Sequence, residues 1–315
     1  IAKLGLSKDI PVSQFPAKLV LELRSLTRKY YDLTDERSAH INKLKGDLHT
    51  VFPQYLDVFC DVTGKTSTMI LRQYGTPDKI LRGHKKTMIE KISKASRKGL
   101  AKASERYEKL CAAANAAKTF GCQIDSIYFN IFLTLDLVEK LDSALDSILN
   151  RIRQLITFNK NEKFIQQIKL LNTIPGVGFL TAVTIMCEIG DFSAFRNPKQ
   201  LFAYFGLDPE VNESGKFVGT QLHMSKRGSR IARRAIFAVA LASIRTKRNG
   251  EGINPYLRKY YELKSGQKPK MVAIGAVMHK VCNIVFAVLR DEKAFELRSP
   301  EEHCKQYQRP ALAAA

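Results

Sequence analysis

The sequence has no Cys-x-x-Cys spacing. Its six cysteines, at 60, 111, 122, 187, 282 and 304, have no paired histidines beside them. Neither a zinc site nor a disulfide framework is indicated, and the expected compartment is a reducing cytoplasm. Nor is there a charge-free apolar run of membrane length. The most apolar stretch, Met271 to Leu289, carries His279 and Lys280 at its centre, and Ala235 to Ile244 is far too short to span. Both read as buried core helices. No signal peptide is visible, and the chain opens on Ile1 rather than Met. Acidic residues are scarce, with 30 Asp and Glu against 51 Lys and Arg. A surplus of that size points to a polyanionic partner, because each cation near a phosphate releases a counterion. Nucleic acid is the first such partner and an anionic membrane surface the second.

What is present is ample material for packed domains: 315 residues with 45% hydrophobic content suffice for two or three cores. Leu19, Leu23, Leu26, Tyr30, Leu33, Leu44, Leu48 and Val51 keep steps of three and four for much of their run, interrupted by Arg37 and His40. That spacing predicts a long helix with a coiled-coil seam. A second seam runs from Ile124 through Ile131, Leu135, Val138, Leu145 and Ile152 to Leu155, with no proline or glycine between Gln123 and Lys160. The two stripes can pair as an antiparallel hairpin in one chain or between chains as a dimer.

Between them, residues 52 to 121 read as a helical insertion. Arg82 to Lys118 holds eleven basic and three acidic residues, a net of plus eight, and reads either as a solvated helix face or as a surface for a nucleic-acid backbone. Thr63-Gly64-Lys65-Thr66-Ser67 looks like the end of a Walker motif, but Phe59 stands where that motif needs its first glycine. A loop and a helix cap are expected there.

The chemistry concentrates after residue 165. Thr173-Ile-Pro-Gly-Val-Gly178, followed by an apolar helix, has the form of a helix-hairpin-helix turn. In such a turn Gly176, Val177 and Gly178 would bring backbone N–H groups close to a phosphate. Helices are expected over 180–189, 198–205, 230–246, 254–265 and 270–290, with a two-stranded ribbon or extended arm over 215–224. From Glu210 to Arg290 there are sixteen basic and four acidic residues. Arg230, Arg233 and Arg234 fall in the first turns of a helix, where the macrodipole disfavours cations, so a bound anion is expected to compensate. Ser225 lies just before that helix among Lys226 and Arg227. A loop serine is ordinarily a polar turn residue, but cations around this one suit it to attack phosphorus. No general base is evident, and His223 is read as structural.

Leu171-Asn-Thr-Ile-Pro-Gly-Val-Gly, Phe202-Ala-Tyr-Phe-Gly-Leu-Asp-Pro, Glu213-Ser-Gly-Lys and Met224-Ser-Lys-Arg-Gly-Ser with Arg233-Arg234 stand in an order and spacing similar to the C-terminal transposase domain of the IS-110 family of insertion-sequence transposases. The resemblance covers roughly residues 165 to 296, and the helical region before it is similar to the family's coiled-coil segment. It implies DNA transposition in which Ser225 matches the catalytic serine and forms a covalent protein–DNA intermediate. It also implies that some members use a structured guide RNA. The family's second half-site is an N-terminal RuvC-like domain whose four carboxylates bind magnesium. The last two of its aspartates would lie just ahead of a segment resembling Ile1-Ala2-Lys3-Leu4, and Asp9, Asp32 and Asp35 do not reproduce them. No cofactor is therefore expected in this chain itself, with Mg2+ expected only alongside that N-terminal domain.

The expectation is a mainly α protein: long antiparallel coiled-coil helices with a basic insertion over 1–160, an α-rich domain with helix-hairpin-helix and short β-ribbon over 165–296, and a loose tail over 297–315. Ser225 is the expected nucleophile. Gly176, Val177, Gly178, Lys216, Lys226, Arg227, Gly228, Arg230, Arg233 and Arg234 are the expected nucleic-acid contacts. DNA is the expected partner, a guide RNA an optional one, and a homo-oligomer the expected assembly. The rival reading is a non-catalytic helix-hairpin-helix module that binds DNA or RNA and oligomerises through its long helices. A protein of the membrane surface is the third.

Overall fold

The computed structural model describes residues 16–302 apart from 121, 123, 161, 211–212, 215–216 and 219–222. In chain order its helices are α1 (Lys18–Val51), α2 (Tyr55–Val58), α3 (Lys65–Gln73), α4 (Pro77–Arg82), α5 (Lys85–Ser96), α6 (Leu100–Phe120), α7 (Asp125–Phe158), α8 (Lys163–Leu171), α9 (Phe179–Ile189) and α10 (Pro198–Tyr204). After strands β1 (Glu213–Ser214) and β2 (Phe217–Val218), which pair antiparallel, come α11 (Arg230–Ser243), α12 (Pro255–Ser265) and α13 (Lys270–Asp291). The fold is mainly α.

The chain forms two compact units, residues 1–28 with 150–315 and residues 29–149. This differs from the division at 160 expected from sequence. Residues 18–28 of α1 and 150–158 of α7 belong to the unit that carries the C-terminal helices. A helix without breakers continues past a domain boundary, so periodicity alone does not mark one.

In the unit 29–149, Leu44, Leu48 and Val51 of α1 lead into Phe52, Tyr55 and Phe59. Ile70, Ile80, Met88, Ile92 and Leu110 join them, with Tyr128, Ile131 and Leu135 of α7, in one buried cluster. Arg37, which interrupts the first apolar stripe, makes a bidentate pair with Asp142, Nε to Oδ1 at 2.5 Å and Nη2 to Oδ2 at 3.2 Å. The pairing accounts for the break. Gly64 is the N-cap of α3, and Ser67 offers its carbonyl to the buried Tyr55 hydroxyl at 3.0 Å. The Thr-Gly-Lys-Thr-Ser stretch is thus a helix start, as expected. On α5, α6 and the turn between them, Met88, Ile92, Ala103 and Leu110 are buried while Lys85, Lys86, Lys91, Lys98, Lys102 and Lys109 are exposed. Along α7 a second apolar stripe at four-residue spacing, Phe129, Leu133 and Leu137, faces outward.

In the other unit α13 is the central helix, packed by α8, α10, α11 and α12. It is long and apolar enough by length and composition to cross a membrane. Ala273, Val277, Val281, Cys282 and Val285 are fully buried within the unit, the core-helix role expected. Three of these neighbouring helices start on a side-chain cap: Asn197 for α10, Ser229 for α11 and Asn254 for α12, with Pro198 and Pro255 at the first helical positions. Residues 299–302, expected to be loose, carry a reciprocal cap: Glu302 N–H donates to Ser299 Oγ at 3.1 Å, and Ser299 N–H to the Glu302 carboxylate at 2.8 Å.

Candidate active site

Two loop segments build the site. Gly206 ends α10 at φ +65°, a left-handed turn that favours glycine. The chain then runs antiparallel to residues 223–226: Glu210 N–H donates to the His223 carbonyl at 2.7 Å, Ser225 N–H to the Asp208 carbonyl at 2.8 Å, and Lys226 N–H to the Gly206 carbonyl at 3.1 Å. A bridge between Pro209 and Met224 completes this short ladder. It sets Ser225 opposite Asp208. The Ser225 hydroxyl donates to Asp208 Oδ1 at 2.5 Å, and both residues are half-buried.

The loops touch backbone to backbone. A Cβ on Gly228 would lie 2.0 Å from the Tyr204 carbonyl oxygen, and one on Gly206 would lie 2.4 Å from the Gly228 nitrogen. Only glycine fits at either place. Arg233, reaching back from α11, donates through Nη1 to the carbonyls of Phe205 at 3.2 Å and Gly228 at 3.0 Å. Those hydrogen bonds make Arg233 a clasp between the loops. Lys226, beside Ser225, is exposed with φ +54°, a conformation that costs a non-glycine residue about 1 kcal/mol or more.

Beneath the loops sits a buried carboxylate. Glu188 ends the otherwise apolar α9 and is 3% exposed. Arg28 of α1 grips it with Nε to Oε1 at 2.8 Å and Nη2 to Oε2 at 2.9 Å, and the Ser229 hydroxyl donates to Oε2 at 2.7 Å. Burial pushes the Glu188 carboxyl up, but the Arg28 and Ser229 hydrogen bonds outweigh it and hold the group below its ordinary value. Ser229 also accepts from Ala232 N–H at 3.1 Å as the cap of α11. The Tyr204 hydroxyl donates to the Glu188 carbonyl at 3.0 Å, and Arg24 Nε to the Cys187 carbonyl at 2.7 Å. A cavity of about 370 Å³ opens here, lined by Arg24, Arg28, Tyr204, Arg227 and Ser229 among others.

Of the expected contacts, Lys226, Arg227 and Arg230 are exposed around Ser225, Gly228 and Arg234 are half-buried, and Lys216 lies outside the described residues. His223 is exposed, and its backbone carbonyl serves the ladder. The 173–178 turn is different. Gly176, at φ +97°, faces Ser243: a Cβ there would meet Ser243 Oγ at 2.5 Å and its nitrogen at 2.9 Å. Its glycine is accounted for by packing rather than by phosphate, and Val177 is buried in the core. Gly178, the N-cap of α9, has open space around it. Ser243 ends the 14-residue α11 and Ser229 begins it. At 1.5 Å per residue the two glycine-bounded loops therefore lie about 20 Å apart, at opposite ends of one helix. They do not form one phosphate site.

Sequence reasoning missed Asp208 and Glu188 as members of the site. Asp208 stands inside the Phe202–Pro209 motif, and Glu188 is the one charged residue of α9, a signal that it needs a buried partner. Among the described residues no three His, Cys, Asp or Glu side chains converge as a metal site.

Residues 168–262, which hold the Ser225 loop and most of its supports, match the model described as the Transposase IS116/IS110/IS902 family. The match and the fold together define a transposase domain. Three relatives place it further. The chain is 23% identical over 286 residues to the Insertion element IS110 uncharacterized 43.6 kDa protein of Streptomyces coelicolor, covering 90% of this chain and 66% of that one. It is 30% identical over 177 residues to the Pilin gene-inverting protein of Moraxella bovis, covering 56% and 52%. It is 26% identical over 188 residues to the Transposase for insertion sequence element IS1111A of Coxiella burnetii, covering 58% and 50%. Residues 168–262 thus carry a transposase domain of the IS116/IS110/IS902 type, and the chain is similar to proteins of the IS110 and IS1111A insertion elements. It spans between half and two thirds of the length of these relatives.

Proposed function

We propose that this chain acts in DNA transposition or inversion of a mobile element, with Ser225 as the nucleophile. One observation carries the reading. Within the matched transposase domain, a serine hydroxyl is held by a backbone ladder at a loop whose next two residues, Lys226 and Arg227, are exposed cations. Ser225 Oγ attacks a DNA phosphodiester, the bond from phosphorus to one deoxyribose oxygen breaks, and a phosphoserine ester conserves the energy for rejoining to another strand. Lys226 and Arg227 offset the charge that builds on the phosphoryl oxygens. Arg230, on the exposed first turn of α11, extends the same basic surface. The exposed lysines of α5 and α6 supply a second polyanion-binding face, which suits further DNA or a structured guide RNA. The outward stripe Phe129, Leu133 and Leu137 supplies an apolar surface for a homo-oligomer. Magnesium, in this proposal, enters with the carboxylate domain that the family resemblance implies.

The test is a denaturing gel of the protein incubated with supercoiled DNA carrying the element's ends, with and without Ser225→Ala. The expected result is a protein–DNA adduct that Ser225→Ala abolishes while native-gel DNA binding persists. Salt-dependent binding with no adduct under any condition supports the rival reading, a non-catalytic nucleic-acid module.

A further inference from the structure

We infer that Asp208 is the proton acceptor for Ser225, a catalytic residue of the transposase domain; the inference rests on Ser225 being the nucleophile. Four observations converge on it. The Ser225 hydroxyl already donates to Asp208 Oδ1 at 2.5 Å, within the reach required of a general base. The contact does not depend on a side-chain rotamer alone, because Ser225 N–H is bonded to the Asp208 carbonyl and Lys226 N–H to the Gly206 carbonyl. Both backbones are fixed on either side of the pair. Gly206 and Gly228 lock the same register, since a Cβ on either collides with backbone of the opposite strand.

The third observation is a contrast between two carboxylates. Glu188 is consumed by Arg28 and Ser229 and serves as a brace. Asp208, among the described residues, has no Lys or Arg within ion-pair distance, so its charge is directed at the serine. The fourth is the exposed His223, whose contribution to the ladder is its backbone carbonyl. It leaves Asp208 as the base.

The step balances without any co-reactant. The Ser225 proton passes to Asp208 Oδ1 as the bond from Oγ to phosphorus forms. The bond from phosphorus to the deoxyribose oxygen breaks, that oxygen leaves with the electron pair, and the proton reaches it from Asp208 through water. In the rejoining step the direction reverses: Asp208 accepts a proton from the attacking sugar hydroxyl and returns one to Ser225 Oγ.

The experiment uses the full chain and a small fluorophosphonate, which reports a base-assisted serine without needing the DNA site. Oγ bonds to phosphorus, fluoride leaves and the proton goes to Asp208. Mass spectrometry of the tryptic peptide 217–226 reads the rate for the wild type, Asp208→Asn, Asp208→Ala, Asp208→Glu and Ser225→Ala. Labelling of Ser225 is expected in the wild type, slowed about 100-fold or more in Asp208→Asn. Asp208→Glu, which keeps a carboxylate, should label at a rate between those of the wild type and Asp208→Asn. If Ser225 labels equally fast in Asp208→Asn, Asp208 is not the base, although the nucleophile reading survives. If the wild type does not label at Ser225, the nucleophile reading falls and this inference with it. Should Asp208→Asn unfold, as read by circular dichroism, Asp208→Ala decides: labelling of a folded Asp208→Ala as fast as the wild type overturns the proposal.

Discussion

Replacing Arg28 by alanine tests whether the site rests on a buried carboxylate. The Glu188 side chain is 2% exposed and the Arg28 side chain 51%. Removing the arginine leaves the carboxylate buried with only the Ser229 hydroxyl at 2.7 Å. Breaking a fully buried pair in this way costs about 3–5 kcal/mol. Because half of Arg28 faces water, screening lowers the expected cost to about 2–3 kcal/mol. For a unit of this size that is a fall in Tm of roughly 4–12 °C. The pH dependence follows from the carboxyl being held below its ordinary value of 4.5. In the wild type its contribution is full above that value and is lost as pH falls through the depressed one. In Arg28→Ala burial is opposed only by the Ser229 hydrogen bond and the Arg24 charge, so Glu188 protonates at higher pH than in the wild type and the penalty shrinks as pH falls from 7 to 5. Urea or thermal unfolding at both pH values, on Arg28→Ala, Glu188→Gln and the double variant, measures it. The double variant should be more stable than Arg28→Ala alone, because no uncompensated charge remains. A cost below about 0.5 kcal/mol, or one equal at both pH values, would refute the reasoning.

Further outcomes follow from the same geometry. Gly228→Ala places a Cβ 2.0 Å from the Tyr204 carbonyl oxygen. It should destabilise the unit by about 2–3 kcal/mol and displace Ser225, read as lower Tm together with lost adduct formation. Lys226→Gly relieves the φ +54° backbone and should stabilise by up to about 1 kcal/mol, less the entropy that glycine adds to the unfolded chain. It should also weaken DNA binding and reduce the salt slope by about one. A Tm rise with an unchanged slope would detach Lys226 from phosphate. Gly176→Ala, which meets Ser243, should lower Tm, whereas Gly178→Ala, with open space around it, should leave stability within about 0.5 kcal/mol. Equal effects from the two would contradict the packing described for this turn.

The helices are legible in the sequence because their apolar spacing is unbroken and their starts carry Asn-Pro or Ser caps. Pro198, Pro255 and Ser229 mark the starts of α10, α12 and α11. Ends are less legible: α11 stops at Ser243 rather than 246, where the Ser243 and Ile244 carbonyls are taken by Asn254 N–H and the Arg258 guanidinium. Tertiary partners of that kind leave no local mark. The same holds at the site. Ser225, Lys226 and Arg227 are visible as a basic serine loop, but that Asp208 faces Ser225 depends on a ladder between segments 17 residues apart. Arg233 reads as a phosphate ligand by charge, and nothing in the sequence marks that its Nη1 also ties two loop carbonyls together. Gly176 reads as a phosphate-binding glycine by motif, yet Ser243 fills its missing side chain. Pattern identifies the chemistry a residue type can do, and packing decides which partner it meets.

The central claim is that the Ser225 oxygen carries the DNA strand. The most direct measurement digests a covalent complex with nuclease and trypsin and sequences the modified peptide 217–226 by mass spectrometry. A nucleotide phosphate on Ser225 is the predicted result, absent in Ser225→Ala. A nucleotide on another residue, or an adduct that persists in Ser225→Ala, would contradict the account.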